Sequence, residues 1–73
     1  MFEKVRTIIS QLMRIDLELI TLETHLRDDL NFDSLMILEL VLELESELDI
    51  EIEDAEVATF TRVADVVKIL ETK

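Results

Sequence analysis

The sequence predicts a single all-α domain, residues 1–73, with four helices, a long first loop and a short third helix. Apolar residues recur at helical i, i+3, i+4 spacing in several separate segments. The 73 residues are enough for one modest hydrophobic core. Cysteine, glycine and proline are all absent. Helix packing must therefore stabilise the core, and Asp, Asn, Ser and Thr must end the helices and form the turns.

The first predicted helix is amphipathic, with apolar residues on one face: Phe2, Val5, Ile8, Ile9, Leu12 and Met13. In the following segment, residues 15–33, "LELITLETHL" alternates apolar and polar residues as a strand does. A lone strand has no partner here, so we predict a long loop, which in a compact domain is often functional. Five apolar residues are expected to attach the loop to the core: Ile15, Ile20, Leu22, Leu26 and Leu30.

The other three helices follow from apolar spacing and capping residues. Residues 34–48 form a helix that starts at an Asp33 or Ser34 cap and buries Leu40, Val41, Leu44 and Leu48. Residues 54–58 form a short helix with an acidic first turn, which the helix dipole favours. The last helix follows a Thr61 cap and directs four residues inward: Val63, Val66, Val67 and Leu70.

The formal net charge of −11 limits the possible partners. No Lys or Arg occurs between Asp28 and Thr61, whereas acidic residues recur as far as Glu56. Such a surface repels nucleic acid and anionic membranes and suits a basic protein surface. Neither a membrane-spanning stretch nor a signal peptide is recognisable. We expect a soluble, cytoplasmic monomer that binds other proteins, without nucleic-acid binding or membrane insertion.

The stretch "DDLNFDSLMILEL" raises the question of what Ser34 does beyond capping a helix. An EF-hand calcium loop needs oxygen ligands at positions 1, 3 and 5, which Asp29, Asn31 and Asp33 supply. It also needs Gly at position 6 and Glu at position 12, where this chain has Ser34 and Leu40. No EF-hand or other specific metal site is therefore predicted, and loose cation binding to the acidic face remains open.

A catalytic serine needs a general base and an oxyanion hole. The only histidine is His25, in the predicted loop, and no glycine-containing nucleophile turn is present. We therefore predict no catalytic residue and expect His25 to be an ordinary polar loop residue. A serine that another enzyme modifies needs no such equipment. An exposed hydroxyl at a helix N-terminus suits this role, because the free N–H groups and the helix dipole favour a phosphate ester there.

At these residues the sequence resembles the acyl carrier proteins. Their hallmark is Asp-Ser-Leu at the start of the second helix, here Asp33, Ser34 and Leu35. "LELVLELESELDIEIED" is similar to the family's acidic recognition helix and the connection after it, and "TFTRVADVVKIL" to its closing segment. The resemblance runs over the whole chain and is strongest over residues 28–70.

The resemblance implies an antiparallel four-helix bundle with 4′-phosphopantetheine attached to Ser34, between Asp33 and Leu35. The thiol of that group would hold an acyl chain as a thioester, since the chain has no cysteine of its own. The protein would be a carrier and not an enzyme. A phosphopantetheinyl transferase would modify it, and acyl-loading, acyl-transferring and condensing enzymes of fatty-acid, polyketide or related biosynthesis would use it.

The resemblance also implies a partner-binding face on the second helix, for basic patches of those enzymes. Besides Asp33 and Leu35, which adjoin it, this face would comprise Met36, Leu38, Glu39, Leu42, Glu45 and Glu47. A second group of residues is expected to line the core and, as a hypothesis, an acyl pocket: Leu40, Leu44, Phe60 and Val66.

Several positions depart from the family pattern. Asn31 stands where glycine is usual, and asparagine also tolerates positive φ. Met36 stands where an acidic residue is common, and Glu53 replaces a frequent proline. The Gly-Gly-x-Ser motif of peptidyl carriers is absent. These departures indicate a specialised, free-standing carrier with partners of its own.

Two other classes of protein remain open: a small divalent-cation-binding protein, and a helical interaction domain in which Ser34 is only a cap. A phosphopantetheine adduct in the intact mass would distinguish the carrier from both.

Overall fold

The computed structural model describes all 73 residues and contains four α-helices. They are α1 (Phe2–Met13), α2 (Ser34–Leu48), α3 (Asp54–Val57) and α4 (Val63–Glu71), and no strand is present. The predicted all-α fold with a long first loop and a short third helix is confirmed. α1 packs against both α2 and α4. None of the helices has the length and apolarity that crossing a bilayer requires.

One hydrophobic core of 17 buried residues holds these elements together. Every helix except α3 contributes buried side chains to it. The predicted stripes of α2 and α4 are confirmed, with Ile37 added and Leu48 only half-buried. The eight residues with the least exposed side chains are Val5, Ile9, Ile20, Leu26, Leu40, Leu44, Val63 and Val66.

The loop between α1 and α2 is attached to the core more selectively than expected. Ile20, Leu26 and Leu30 are buried as predicted, and Phe32 joins them. Ile15 is half-buried and packs against the core as predicted, whereas the prediction for Leu22 is wrong, because its side chain is exposed. A single 3₁₀ turn, Leu17–Leu19, interrupts the loop.

The loop pairs with the extended residues just before α4. The Leu26 N–H donates to the Thr61 carbonyl, and the Val63 N–H donates to the Thr24 carbonyl, both at 2.9 Å. His25 and Arg62 thus form an isolated antiparallel bridge. The strand-like alternation of the loop sequence therefore has a physical basis, although the partner is one extended segment rather than a strand.

This pairing also decides how α4 begins. Its N-cap is Arg62, so the prediction of a Thr61 cap is wrong. The Asp65 carboxylate accepts hydrogen bonds from the N–H groups of Arg62 (2.9 Å) and Thr61 (3.1 Å). The N–H groups that a Thr61 cap would serve, those of Val63 and Ala64, donate instead to the carbonyls of Thr24 and Leu22 in the first loop.

Three residues supply the left-handed backbone conformations that glycine would adopt more easily. Arg14 (φ 57°) ends α1, Asp49 (φ 53°) ends α2, and Asn31 (φ 58°) lies in the loop before α2. The expectation that Asn31 can stand where the family uses glycine is confirmed, since asparagine is one of the few residues that tolerate this region.

Candidate functional site

The N-terminus of α2 is capped by Asp33 and not by Ser34. Asp33 has an extended backbone, and its Oδ1 accepts a hydrogen bond from the Met36 N–H at 2.9 Å. Because the cap is already provided, the exposed Ser34 hydroxyl is free of this task. The N–H groups of Ser34 and Leu35 also have no acceptor in the chain, as is usual in the first turn of a helix.

A cavity of about 550 Å³ lies beside Ser34, between α2, the first loop and α3. Ser34 itself is one of the lining residues. Half of the lining is apolar: Ile37, Leu38, Val41, Val57, Ala58 and Phe60. The other half is polar: His25, Arg27, Asp28, Ser34, Asp54 and Thr61. An apolar chain could lie against the first set while a polar arm stays near the second.

Of the four residues expected to line an acyl pocket, only Phe60 lines this cavity. Leu40, Leu44 and Val66 are completely buried in the core, as predicted, and line no part of this cavity, so their part in an acyl pocket stays a prediction. The cavity instead uses residues on the neighbouring side of α2. Ile37 and Val41, four residues apart, share that side.

His25 has a structural role at the edge of this cavity. Its Nε2 accepts a hydrogen bond from Arg62 Nε at 3.1 Å, and its Nδ1 lies 3.9 Å from an Asp28 carboxylate oxygen. Arg62 also contacts the Glu23 carboxylate at 3.4 Å. These contacts join the first loop to the start of α4. Neither imidazole nitrogen bonds to the Ser34 hydroxyl.

The outer surface of α2 carries an exposed apolar stripe. The side chains of Leu35, Leu38 and Leu42 are 61%, 53% and 55% exposed, on the solvent-facing side of the helix. Exposed leucines at i, i+3 and i+7 form one continuous surface. The exposed Glu39 lies beside this stripe, whereas the exposed Glu47 lies on the side of α2 that faces Lys4 and Thr7 of α1. This combination suits a partner surface that is apolar at its centre and basic at its rim.

Two residues expected on this partner-binding face have contacts within the protein. Glu45 is half-buried, and its Oε2 accepts a hydrogen bond from the Ile52 N–H at 2.9 Å, which closes the turn between α2 and α3. Met36 is half-buried and packs against the core. Their part in partner binding stays a prediction.

The family of this chain follows from comparison with known proteins. A family model described as "Phosphopantetheine attachment site" matches residues 3–70. The acyl carrier protein of Thermotoga maritima is 39% identical over 72 residues, which cover 99% of this chain and 89% of that protein. The chain belongs to the acyl carrier protein family. The predicted family and the predicted prosthetic group, phosphopantetheine, are confirmed.

Two further members of the family support the assignment. The acyl carrier protein of Clostridium acetobutylicum is 45% identical over 69 residues, covering 94% of this chain and 90% of that protein. A solved structure assigned as an acyl carrier protein from Mycobacterium tuberculosis has a TM-score of 0.91 and 35% identity, covering 97% of this chain and 95% of that one. Acyl carrier proteins are carriers and not catalysts.

In this carrier fold, α3 is stabilised mainly by carboxylate contacts. Glu56 Oε1 accepts hydrogen bonds from the Glu53 N–H (3.0 Å) and from the Lys73 ammonium (2.7 Å). The bond from Lys73, followed by the bond from the Glu53 backbone, lowers the pKa of the Glu56 carboxyl from its ordinary value of 4.5. These contacts tie one wall of the cavity to the segment after α4.

Sequence reasoning missed two groups of residues at this acyl carrier site. Glu43 is exposed midway between Glu39 and Glu47 and continues their row. Its i+4 spacing from Glu39 was a sufficient signal. The polar lining residues His25, Arg27 and Asp54 come from the loop and α3, and no local pattern in the sequence indicates that these segments meet.

Proposed function

We propose that this chain is an acyl carrier protein in which 4′-phosphopantetheine is attached to the Ser34 hydroxyl. The observation that carries the proposal is the exposed Ser34 hydroxyl, which serves no cap and lies in the first turn of α2 on the wall of a half-apolar cavity. When bound, the prosthetic group supplies the thiol that holds an acyl group as a thioester.

The residues around Ser34 fit a phosphodiester at that oxygen. The free N–H groups of Ser34 and Leu35 can donate hydrogen bonds to phosphate oxygens, and the positive end of the α2 dipole favours the negative charge. Asp33 keeps its own carboxylate on the Met36 N–H. It therefore orders the helix start without occupying the hydroxyl that has to be modified.

The cavity gives the chain a means of protecting the cargo. Ile37, Val41 and Phe60 offer apolar surface close to Ser34. An acyl chain that lies against them leaves water and gains about 0.8 kcal/mol for each buried methylene. This contact would keep the cargo beside α2 until a partner enzyme binds.

We assign partner binding to the outer surface of α2. The stripe of Leu35, Leu38 and Leu42 supplies apolar area, and Glu39 and Glu47 supply charge for basic residues of the partner. The partners in this proposal are a phosphopantetheinyl transferase and the acyl-loading, acyl-transferring and condensing enzymes of fatty-acid, polyketide or related biosynthesis. Met36, at the inner edge of this surface, is a candidate for discriminating among them.

Intact-mass measurement tests the attachment site. Incubated with coenzyme A and a broad-specificity phosphopantetheinyl transferase, the wild type should gain one phosphopantetheine adduct, and peptide mapping should place it on Ser34. Ser34→Ala should gain none while keeping its helical circular dichroism. Ser46→Ala changes another exposed serine of the same helix and should be modified normally. A wild type that stays unmodified, or an adduct on Ser34→Ala, would contradict the proposal.

A further inference from the structure

The segment from Ile52 to Phe60, which contains α3, forms an arch over one side of the cavity. Ile52 before the helix and Phe60 after it are buried in the core. Between them α3 contributes no buried residue. Within α3 only Val57 packs against the core, and it is half-buried, so apolar packing holds the helix mainly at its two ends.

This arch forms one wall of the cavity that contains Ser34. Asp54 and Val57 of α3, with Ala58 directly after it, line the cavity opposite Ile37 and Val41 of α2. Movement of α3 away from α2 would therefore widen the cavity, while α1, α2 and α4 could stay packed on one another.

One ion pair holds the middle of the arch from outside. Lys73 Nζ lies 2.7 Å from Glu56 Oε1, and the two side chains keep only 24% and 23% of their surface exposed. The same Glu56 oxygen caps α3 through the Glu53 N–H. The lowered pKa of Glu56 agrees with a carboxylate that gains from both contacts. Lys73 reaches it from beyond α4, so the pair joins two elements that otherwise meet little at this point.

We propose that Lys73 and Glu56 form a latch that holds α3 closed over the cavity beside Ser34, so that breaking the pair exposes the acyl cargo. This inference rests on the proposed function, since it needs a cargo in that cavity. A partner enzyme could open the latch by offering a basic residue to Glu56 or an acidic residue to Lys73, because a partly exposed ion pair contributes little net stability and can be exchanged for another.

Amide hydrogen exchange on the unmodified protein tests the opening of α3. The N–H groups of Val57 and Ala58 donate to the carbonyls of Glu53 and Asp54, both at 3.0 Å, and exchange when α3 opens. Lys73→Gln should speed their exchange by about two- to fivefold at low salt, the range expected for a partly exposed ion pair. Lys68→Gln removes an exposed lysine of α4 that has no ion pair and should leave the exchange unchanged. Equal exchange in the wild type and Lys73→Gln would overturn the proposal.

Hydroxylamine cleavage of the loaded thioester tests the effect on the cargo. A phosphopantetheinyl transferase moves the octanoyl-phosphopantetheine arm from octanoyl-coenzyme A to the Ser34 hydroxyl and releases adenosine 3′,5′-bisphosphate. The cleavage rate of the thioester is then followed by intact mass. Lys73→Gln and Glu56→Gln should each raise the rate by about two- to fivefold. The glutamine oxygen can still accept from the Glu53 N–H, so Glu56→Gln removes mainly the charge. The double variant should be no faster than either single one.

A rescue variant and the effect of salt test the interpretation further. Lys73→Arg should restore the wild-type cleavage rate, and high salt should reduce the difference between the variants and the wild type. Faster exchange of α3 without faster cleavage would mean that the helix does not cover the cargo, which would overturn the latch. If Ser34 accepts no arm at all, the proposed function fails, whereas a loaded protein whose cleavage rate ignores Lys73 rejects only the latch.

Discussion

The Asp33 carboxylate accepts a hydrogen bond from the Met36 N–H, whereas the Ser34 hydroxyl beside it caps nothing. Both residue types are good N-caps, so the sequence left the choice between them open. The choice depends on where the first helical turn begins, and that is set by the buried Phe32 before it and Ile37 after it. Position and chemistry of Ser34 were thus predictable from the sequence, but its freedom from capping was not.

Because Asp33 caps α2 and Ser34 does not, substitutions of these two residues should affect stability unequally. Asp33→Ala should lower the free energy of unfolding by about 1 kcal/mol, because the Met36 N–H loses its acceptor. Ser34→Ala should change it by no more than about 0.5 kcal/mol, as is usual for an exposed surface position. Urea unfolding followed by circular dichroism measures both. A larger loss for Ser34→Ala than for Asp33→Ala would show that the serine caps the helix.

Glu56 should contribute to stability in a pH-dependent way. Its folded pKa is lowered from 4.5, first by the hydrogen bond from Lys73 and then by that from the Glu53 backbone. A lowered folded pKa means that the charged carboxylate favours the folded state. That contribution is complete above 4.5 and is lost as the pH falls through the folded value.

The matching measurement compares the wild type with Glu56→Gln in urea unfolding across this pH range. The wild type should be the more stable protein at neutral pH, and the difference should shrink in acid as Glu56 becomes protonated. All other carboxylates are present in both proteins, so the difference in stability between the two proteins isolates the contribution of Glu56. If the difference in the free energy of unfolding grew towards acid pH, the folded pKa of Glu56 would be raised and not lowered.

Among the elements, α2 shows most clearly what apolar and acidic spacing can predict. Its bounds, residues 34–48, and its buried stripe follow from the 3.6-residue period. It was harder to predict which glutamate of α2 makes a contact within the protein, because all of them have the same side chain. Glu45 bonds to the N–H of Ile52, which lies seven residues further on, beyond the end of the helix. Helical spacing describes neighbours within the helix and carries no information about a contact made after the chain has turned.

Charge on the outer surface of α2 should control the rate at which partners bind. Glu39→Lys should slow the modification of Ser34 by the transferase by up to about tenfold at low salt, with little loss of stability, because a rim charge mainly affects association. Glu71→Lys makes the same change of net charge on exposed α4 and is the matched control. Equal slowing by both variants would show that only net charge matters and that the partner surface lies elsewhere.

Over the whole molecule, the long loop was the least predictable part of the fold. Alternation in "LELITLETHL" indicated extended backbone, and the only partner is the short segment around Arg62, far along the chain. Pairing over that distance depends on how α4 docks on the core, so neither the exposure of Leu22 nor the cap at Arg62 follows from local pattern. The cavity depends on the same docking, since its lining comes from the loop, α2 and the segment from α3 to Thr61.

The net negative charge affects the stability of the whole domain. Twelve acidic residues lie between Asp28 and Glu56 with no Lys or Arg among them. Of these twelve, only Glu56 has a lysine or arginine partner within 4 Å, and Asp28 lies beside the imidazole of His25. The remaining carboxylates repel one another across a domain that measures 27 × 21 × 19 Å. Such self-repulsion lowers the stability of the compact state.

Salt should therefore raise the melting temperature of this protein. Each kcal/mol of repulsion that is screened corresponds to about 4–8 °C for a domain of this size. Magnesium or calcium at millimolar concentration should act in the same direction. No group of three or more candidate ligands is arranged to hold one metal ion, so the gain should rise gradually with concentration. The double variant Glu43→Gln, Glu47→Gln removes two exposed charges and should be less sensitive to both kinds of salt. A melting temperature that does not change with salt would show that charge repulsion does not limit the stability. A response to magnesium that saturates at constant ionic strength would show a defined metal site.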